Sequence, residues 1–142
     1  MNDSLCGFDA TTTARMIAAR EVSAREVIDA HVKRIDSVNS RLNAIVRRDD
    51  AAARHAADGI DAQRTTGPLA GAVVTTKINT DHVPYPNDNG IRALAGNISP
   101  MTHPVIRGLL DAGLMMAGRT NSPAFAMRFH TDNDLHGETL NP

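Results

Sequence analysis

The residue with the sharpest chemical promise is Lys77. It closes the run Leu69-Ala70-Gly71-Ala72-Val73-Val74-Thr75-Thr76-Lys77-Ile78-Asn79, which reads as a buried strand delivering a lysine to a sheet edge. Two chemistries are open to it. A lysine at a solvated strand end stays an ordinary ammonium. One set in an apolar wall loses solvation, its pKa falls, and the neutral amine can act as a base. Other candidates have plainer readings. Ser122 precedes Pro123 and reads as a helix cap. The stretch His130-Thr131-Asp132-Asn133-Asp134-Leu135-His136 carries metal-ligand types, but in no recognised zinc spacing, so no metal is expected. Asp132 and Asn133 there fit turn residues that hold loop backbone through their side chains. Cys6 lies in no basic cluster and at no helix N-terminus, so it reads as a spare thiol.

Several classes are excluded. The glycines form neither a Walker loop nor a Gly-x-Gly-x-x-Gly pattern, so no phosphate cradle is expected. A Gly-x-Ser-x-Gly elbow is missing too. Net charge is -1, which leaves no footprint for nucleic acid or an anionic membrane. One cysteine cannot form an internal disulfide, and Met1-Asn2-Asp3-Ser4 has neither a basic nor an apolar leader region, so the expected location is cytoplasmic. No apolar stretch approaches the ~20 residues that span a bilayer.

These residues need elements to place them. With 3% aromatic residues and no Trp, the core must be built from Ala, Val, Ile, Leu and Met. Asp9 or Thr11 caps a short helix through Arg20. Ser23-Ala24-Arg25-Glu26 is a capping box that opens an amphipathic helix with the stripe Ala24, Ile28, His31, Ile35 and Val38. His31 on that stripe reads as a packed residue. Asn39-Ser40 is a break, Leu42 to Val46 is extended, and Asp49-Asp50 caps a helix from Ala51 to about Thr65. Strand Ala72–Thr76 leads into a loop from Thr80 to Gly90, where Pro84 and Pro86 forbid further strand. Thr102 caps a helix with Pro104 near its first position, apolar residues Val105, Ile106, Leu109 and Leu110, and Gly113 just past its end. Leu114–Gly118 is a second buried strand, and Ser122-Pro123 opens a helix to about Phe129. Strand, crossover helix and strand predict a parallel α/β sheet covered by helices.

Several of these stretches, in order, resemble the amidase signature family. They are Gly67 to Lys77, Ala93-Leu94-Ala95-Gly96-Asn97, His103-Pro104-Val105-Ile106-Arg107, Asp111 to Phe125 and Thr131 to Pro142. The N-terminal helices agree more loosely, as in Arg34 to Asn39 and Leu42-Asn43-Ala44. The resemblance implies an α/β fold with a mixed, mostly parallel sheet. It implies one incomplete amidase domain over 1–142: a mainly helical region 1–66, then the start of the α/β core at 67–142. It also implies hydrolysis of a small-molecule carboxylic amide to acid and ammonia or amine. The family relay consists of a nucleophilic serine, a second serine in a cis peptide, and a lysine, which by alignment is Lys77; such a relay supplies its own acid–base chemistry, so the resemblance implies no cofactor. Met127, Phe129 and Thr131 fall where the family places its substrate wall; for Met127 and Phe129 the alternative is plain core packing.

Two departures qualify the match. Ile78 stands where the family commonly has an acidic residue, which reads as subgroup variation. The family's Gly/Ser-rich signature, with both serines, follows soon after the match to Asn141-Pro142, where this sequence closes. The expectation is a chain that carries the relay lysine alone, is inactive by itself, and self-associates through exposed edges. The alternatives are an amidotransferase of the A type, working with partners, and a non-catalytic fragment.

Overall fold

The computed structural model describes residues 3–142. Its elements are α1 (Ala10–Ala18), α2 (Ala24–Leu42), β1 (Ile45–Arg47), α3 (Asp50–Asp61), β2 (Val73–Lys77), α4 (Pro104–Asp111) and β3 (Met115–Thr120), with 3-10 turns at Asp3–Gly7, Arg92–Leu94 and Ala124–Ala126. The strands form one sheet in the order β1-β3-β2. The Met115 N–H donates to Ala72 O and the Ile78 N–H to Thr120 O, so numbering rises together along β2 and β3 and that pair is parallel. The β1–β3 pair is antiparallel, with Ile45 opposite Thr120 and Arg47 opposite Arg119 across a bulge. The result is the mixed α/β sheet that was expected, with one pair of each kind.

Two compact units make up the chain. The first takes the residues up to Ser37, Asp49–Val74 and Gly108–Ala117; the second takes Val38–Arg48, Thr75–Arg107 and Gly118–Pro142. In the first unit the local signals act as read. Asp9 Oδ1 accepts the Thr12 N–H at 2.7 Å, and that bond holds the Asp9 carboxyl below the usual carboxylate range. The capping box forms in both directions, with Ser23 N–H on Glu26 Oε2 at 2.9 Å and Glu26 N–H on Ser23 Oγ at 3.1 Å. A second cap was not legible: the Asp61 carboxylate takes the N–H groups of Ala24 and Arg25. Arg25 pairs with Asp58, and Asp29 with Arg54, so α2 and α3 lie side by side and antiparallel. Between them small and branched residues are buried: Ala24, Val27, Ile28, Val32 and Ile35 on α2, Ala53, Ala57 and Ile60 on α3. The true stripe of α2 therefore includes Val27 and Val32, while His31 and Val38 are only half-buried.

Helix ends correct several expectations. Asn39-Ser40 does not break α2, which runs on to Leu42. Asn39 instead folds its amide over the helix end: Oδ1 accepts the N–H groups of Ala44 and Ile45, and Nδ2 donates to Ile45 O. A polar side chain that can satisfy the backbone beyond a helix end need not terminate the helix itself. Helix α3 stops at Asp61, four residues early, because Gln63 turns left-handed at φ 57° and closes the end through Gln63 N–H to Ile60 O and Arg64 N–H to Gly59 O. Gly113 closes α4 in the same way at φ 87°, through bonds from Gly113 to Leu110 and from Leu114 to Leu109. A side chain at Gly113 would also meet Ala70 Cα at 2.8 Å. The first residue of α4 is Pro104, so His103 precedes it, and His103 Nδ1 accepts the Val105 N–H at 3.2 Å. Thr102 is not the cap, since its hydroxyl accepts from the Val83 N–H. Of the four apolar α4 residues, only Ile106 is buried.

Candidate functional site

Lys77 ends β2, an edge of the described sheet, inside the second unit. The strand is not the fully buried one expected: Val73 and Val74 are half-buried, Thr75 is exposed, Thr76 is buried and Lys77 is exposed. The picture of a lysine desolvated by an apolar wall does not hold for these residues, because the side chain follows the alternation of an edge strand toward the open face. What holds it is polar. Lys77 Nζ donates to the backbone oxygen of Asn121 at 3.0 Å. Its own carbonyl accepts from Arg119 Nη2 at 2.9 Å and from the Thr80 N–H at 3.1 Å. The lysine is therefore fixed at its main chain and at its tip.

Arg119 explains the rest of that fixation. It occupies β3 and is 2% exposed, among the largest wholly buried side chains. Its guanidinium reaches the carbonyls of Lys77, Thr80 and Pro86, the last at 2.6 Å, and so staples the loop that follows β2. Burial draws its pKa down, with Asp88 opposing. An arginine fork with several donors suits a loop that offers only carbonyls. Gly118 before it has φ 155°, and a Cβ there would meet Ile45 Cγ2 at 2.6 Å and Arg47 O at 2.9 Å, so a bare residue lets β1 approach.

Beside it, Asp88 is wholly buried and shared. Oδ1 accepts the Gly90 N–H at 2.9 Å; Oδ2 lies 3.1 Å from Arg47 Nη2 and 3.0 Å from His136 Nε2. Such a carboxylate needs these partners, since an unpaired buried charge costs several kcal/mol. His82 is buried as well, with Nδ1 unpartnered, and burial together with Arg119 depresses its pKa.

The loop after β3 departs from expectation most. There is no helix from Ser122 to Phe129, only the 3-10 turn Ala124–Ala126, with Phe125 and Ala126 at positive φ. Ser122 caps nothing; it is wholly buried, its N–H bonds Asn121 Oδ1, and its Oγ has no partner. Asn133 does what a turn residue should, accepting the N–H groups of Leu135 and His136 on Oδ1. It goes further, since Nδ2 donates to Asn121 Oδ1 and Ser122 O. Asn43 joins the same web through His136 O and Glu138 O. Met127 is 81% exposed and Phe129 fully exposed, which rules out core packing for both within the described residues. Thr131 is half-buried, and its carbonyl accepts the Thr139 N–H.

His130 pairs with Glu138 and His136 with Asp88, so the histidines of that stretch point to different carboxylates. Among the described residues no group of three or more His, Cys, Asp or Glu could hold a metal ion. No helix of the described residues is long and apolar enough to cross a membrane. A concavity of about 800 Å³ lies in the first unit, bounded by Arg15, Ile17, Glu26, Ile60, Thr65 and Pro68, and includes none of the residues around Lys77.

Comparison with known proteins gives this arrangement a context. A family profile described as Amidase matches residues 26–142. An indoleacetamide hydrolase of Bradyrhizobium diazoefficiens is 42% identical over 139 residues, 95% of this chain and 26% of that protein. The A component of the glutamyl-tRNA(Gln) amidotransferase of Salinispora arenicola is 37% identical over 142 residues, 97% of this chain and 29% of that protein. The solved structure of a fatty acid amide hydrolase superposes with a TM-score of 0.89 at 26% identity, over 98% of this chain and 25% of that one. The chain thus spans about a quarter to three tenths of the length of these proteins.

Proposed function

This chain belongs to the amidase family, and from that premise we propose that residues 1–142 are part of one amidase domain and contribute the general base of amide hydrolysis, Lys77. The observation that carries the reading is the double fixation of Lys77, by Arg119 at its carbonyl and by Asn121 at its amine. Once deprotonated, the lysine amine keeps a lone pair while one N–H stays on Asn121 O. That lone pair takes the proton of a bridging serine, which takes one from the nucleophilic serine, whose oxygen then attacks the amide carbon. Backbone N–H groups hold the resulting oxyanion. The C–N bond breaks as the relay returns a proton to the leaving amine, and water then hydrolyses the acyl ester to the acid. Both serines belong to the Gly/Ser-rich segment that the resemblance places after Asn141-Pro142. Of the relay, residues 1–142 supply the lysine alone, and they are inactive by themselves.

The same proposal assigns the acyl wall to Met127, Phe129 and Thr131, whose exposure leaves Met127 and Phe129 free to meet a substrate. It places the chain in the cytoplasm, consistent with a single cysteine; cell fractionation checks this. It also expects self-association through exposed edges, which light scattering reads. An A-type amidotransferase role is the second reading, favoured by the 37% identity to the Salinispora protein. It requires partner chains for activity, whereas a hydrolase does not.

The test is a chimera in which residues 1–142 replace the matching segment of the Bradyrhizobium relative. Ammonia release from indoleacetamide is expected, with Lys77→Ala lowering kcat roughly 10²- to 10⁴-fold, the usual worth of a general base. A folded Lys77→Ala chimera of unchanged kcat overturns the assignment. Ammonia release by the 142-residue chain, lost in Lys77→Ala, overturns its inactivity.

A further inference from the structure

The geometry points to Asn121 as the positioning residue for Lys77, an inference that rests on the reading of Lys77 as the relay base. A lysine tip bound to a peptide oxygen is only as well placed as that peptide. Here the acceptor is the carbonyl of the Asn121–Ser122 peptide. The N–H of the same peptide donates to Asn121's own Oδ1 at 3.0 Å, so one peptide plane is held from both sides.

The side chain that does this is itself saturated. Oδ1 also accepts from Asn133 Nδ2 at 2.7 Å; Nδ2 donates to Gly137 O at 3.0 Å and Thr139 Oγ1 at 3.1 Å. A carboxamide has two acceptor and two donor sites, and all four are used. The Asn121 N–H donates to Ala44 O, which ties the residue to the stretch before β1. At 3% exposure nothing here is left to water. Aspartate would lack both donors, and an aliphatic residue would take this partner from the Ser122 N–H and Gly137 O. The asparagine thus converts four bonds into a fixed direction for one carbonyl, and that carbonyl directs the lysine nitrogen.

The sequence offers a clean probe, because Lys33 and Lys77 are its only lysines. With 15N-lysine and 13C-carbonyl labelling, the 142-residue chain should show a through-hydrogen-bond coupling between Lys77 Nζ and the Asn121 carbonyl carbon. In Asn121→Ala that coupling should vanish and exchange of the Lys77 side-chain N–H protons with water should quicken roughly fivefold, the scale of one net hydrogen bond. Lys33, exposed on α2, is the internal control and should not change. Asn121→Ser, which keeps a short acceptor for the Ser122 N–H, serves if Asn121→Ala does not fold. No coupling in the unsubstituted chain, or an unchanged one in a folded variant, overturns the inference. In the chimera, Asn121→Ala should lower kcat at least about tenfold, as a misplaced catalytic group does, with KM within about twofold. If Lys77→Ala there leaves kcat intact, the relay reading fails while the coupling result still decides the role of Asn121.

Discussion

The two units are built from opposite materials. The first buries Ala24, Val27, Ile28, Val32, Ala53, Ala57 and Met115, an aliphatic core between capped helices, and keeps its ion pairs Arg25–Asp58 and Arg54–Asp29 near the surface. The second buries Asp88, Arg119, Asn121, Ser122 and His82, with Ile78 and Ile106 as its apolar minority. Apolar burial is non-directional and tolerates repacking. A polar interior demands that each donor meet its acceptor, and in return it fixes directions. The unit that holds the lysine is the one whose interior specifies angles rather than volume.

Substitutions can break that contrast. The largest effect is expected from Ile28→Ala, since a wholly buried branched side chain leaves a cavity; urea unfolding should show a loss of about 2–5 kcal/mol. Asp88→Ala comes next, at about 2–3 kcal/mol. This is less than for a fully buried pair because the Arg47 side chain is 30% exposed and water can rescue it. If Asp88→Ala proves neutral, the polar interior of the second unit is not what holds it. Arg54→Ala should cost at most about 0.5 kcal/mol, because both partners in that pair are more than a third exposed. Lowering the pH tests one histidine in each unit. His31 and His82 both have folded pKa values below 6.5 through burial. The unfolded chain therefore takes up protons first as pH falls through 6.5, and stability declines from there until the folded rings protonate; above 6.5 it is retained. His82→Gln should flatten part of that decline in thermal melts, which an unperturbed His82 would not.

The same contrast governs what was legible beforehand. The caps at Asp9, Ser23, Glu26 and Asp49, and the closing Gly113, act within a turn of their own position, so a single stretch of sequence shows them. Asn39 acts equally near its own position, but its letter is the same whether it breaks a helix or wraps a helix end. The roles of Asp88, Arg119, Asn121 and His136 had no signal. Their partners lie far along the chain, and polar contacts leave no periodicity. The place of Lys77 after an apolar run and the family resemblance mark it in the sequence, but its surroundings carry no such mark: the run suggests an apolar wall, and the edge strand supplies an exposed face. The helix expected from Ser122 failed because the buried Ser122 and its Asn121 partner commit that backbone elsewhere.

The bond from the Thr139 hydroxyl to Asn43 O joins residues 96 positions apart. Closing so long a loop sacrifices chain freedom before the contact returns any stability, and non-local contacts slow folding. A ribosome would release Lys77 well before Thr139, so the lysine is synthesised early and acquires its setting late. Pulsed hydrogen exchange during refolding should find the α2 amides protected ahead of those at Asn121 and Leu140; simultaneous protection would contradict this order.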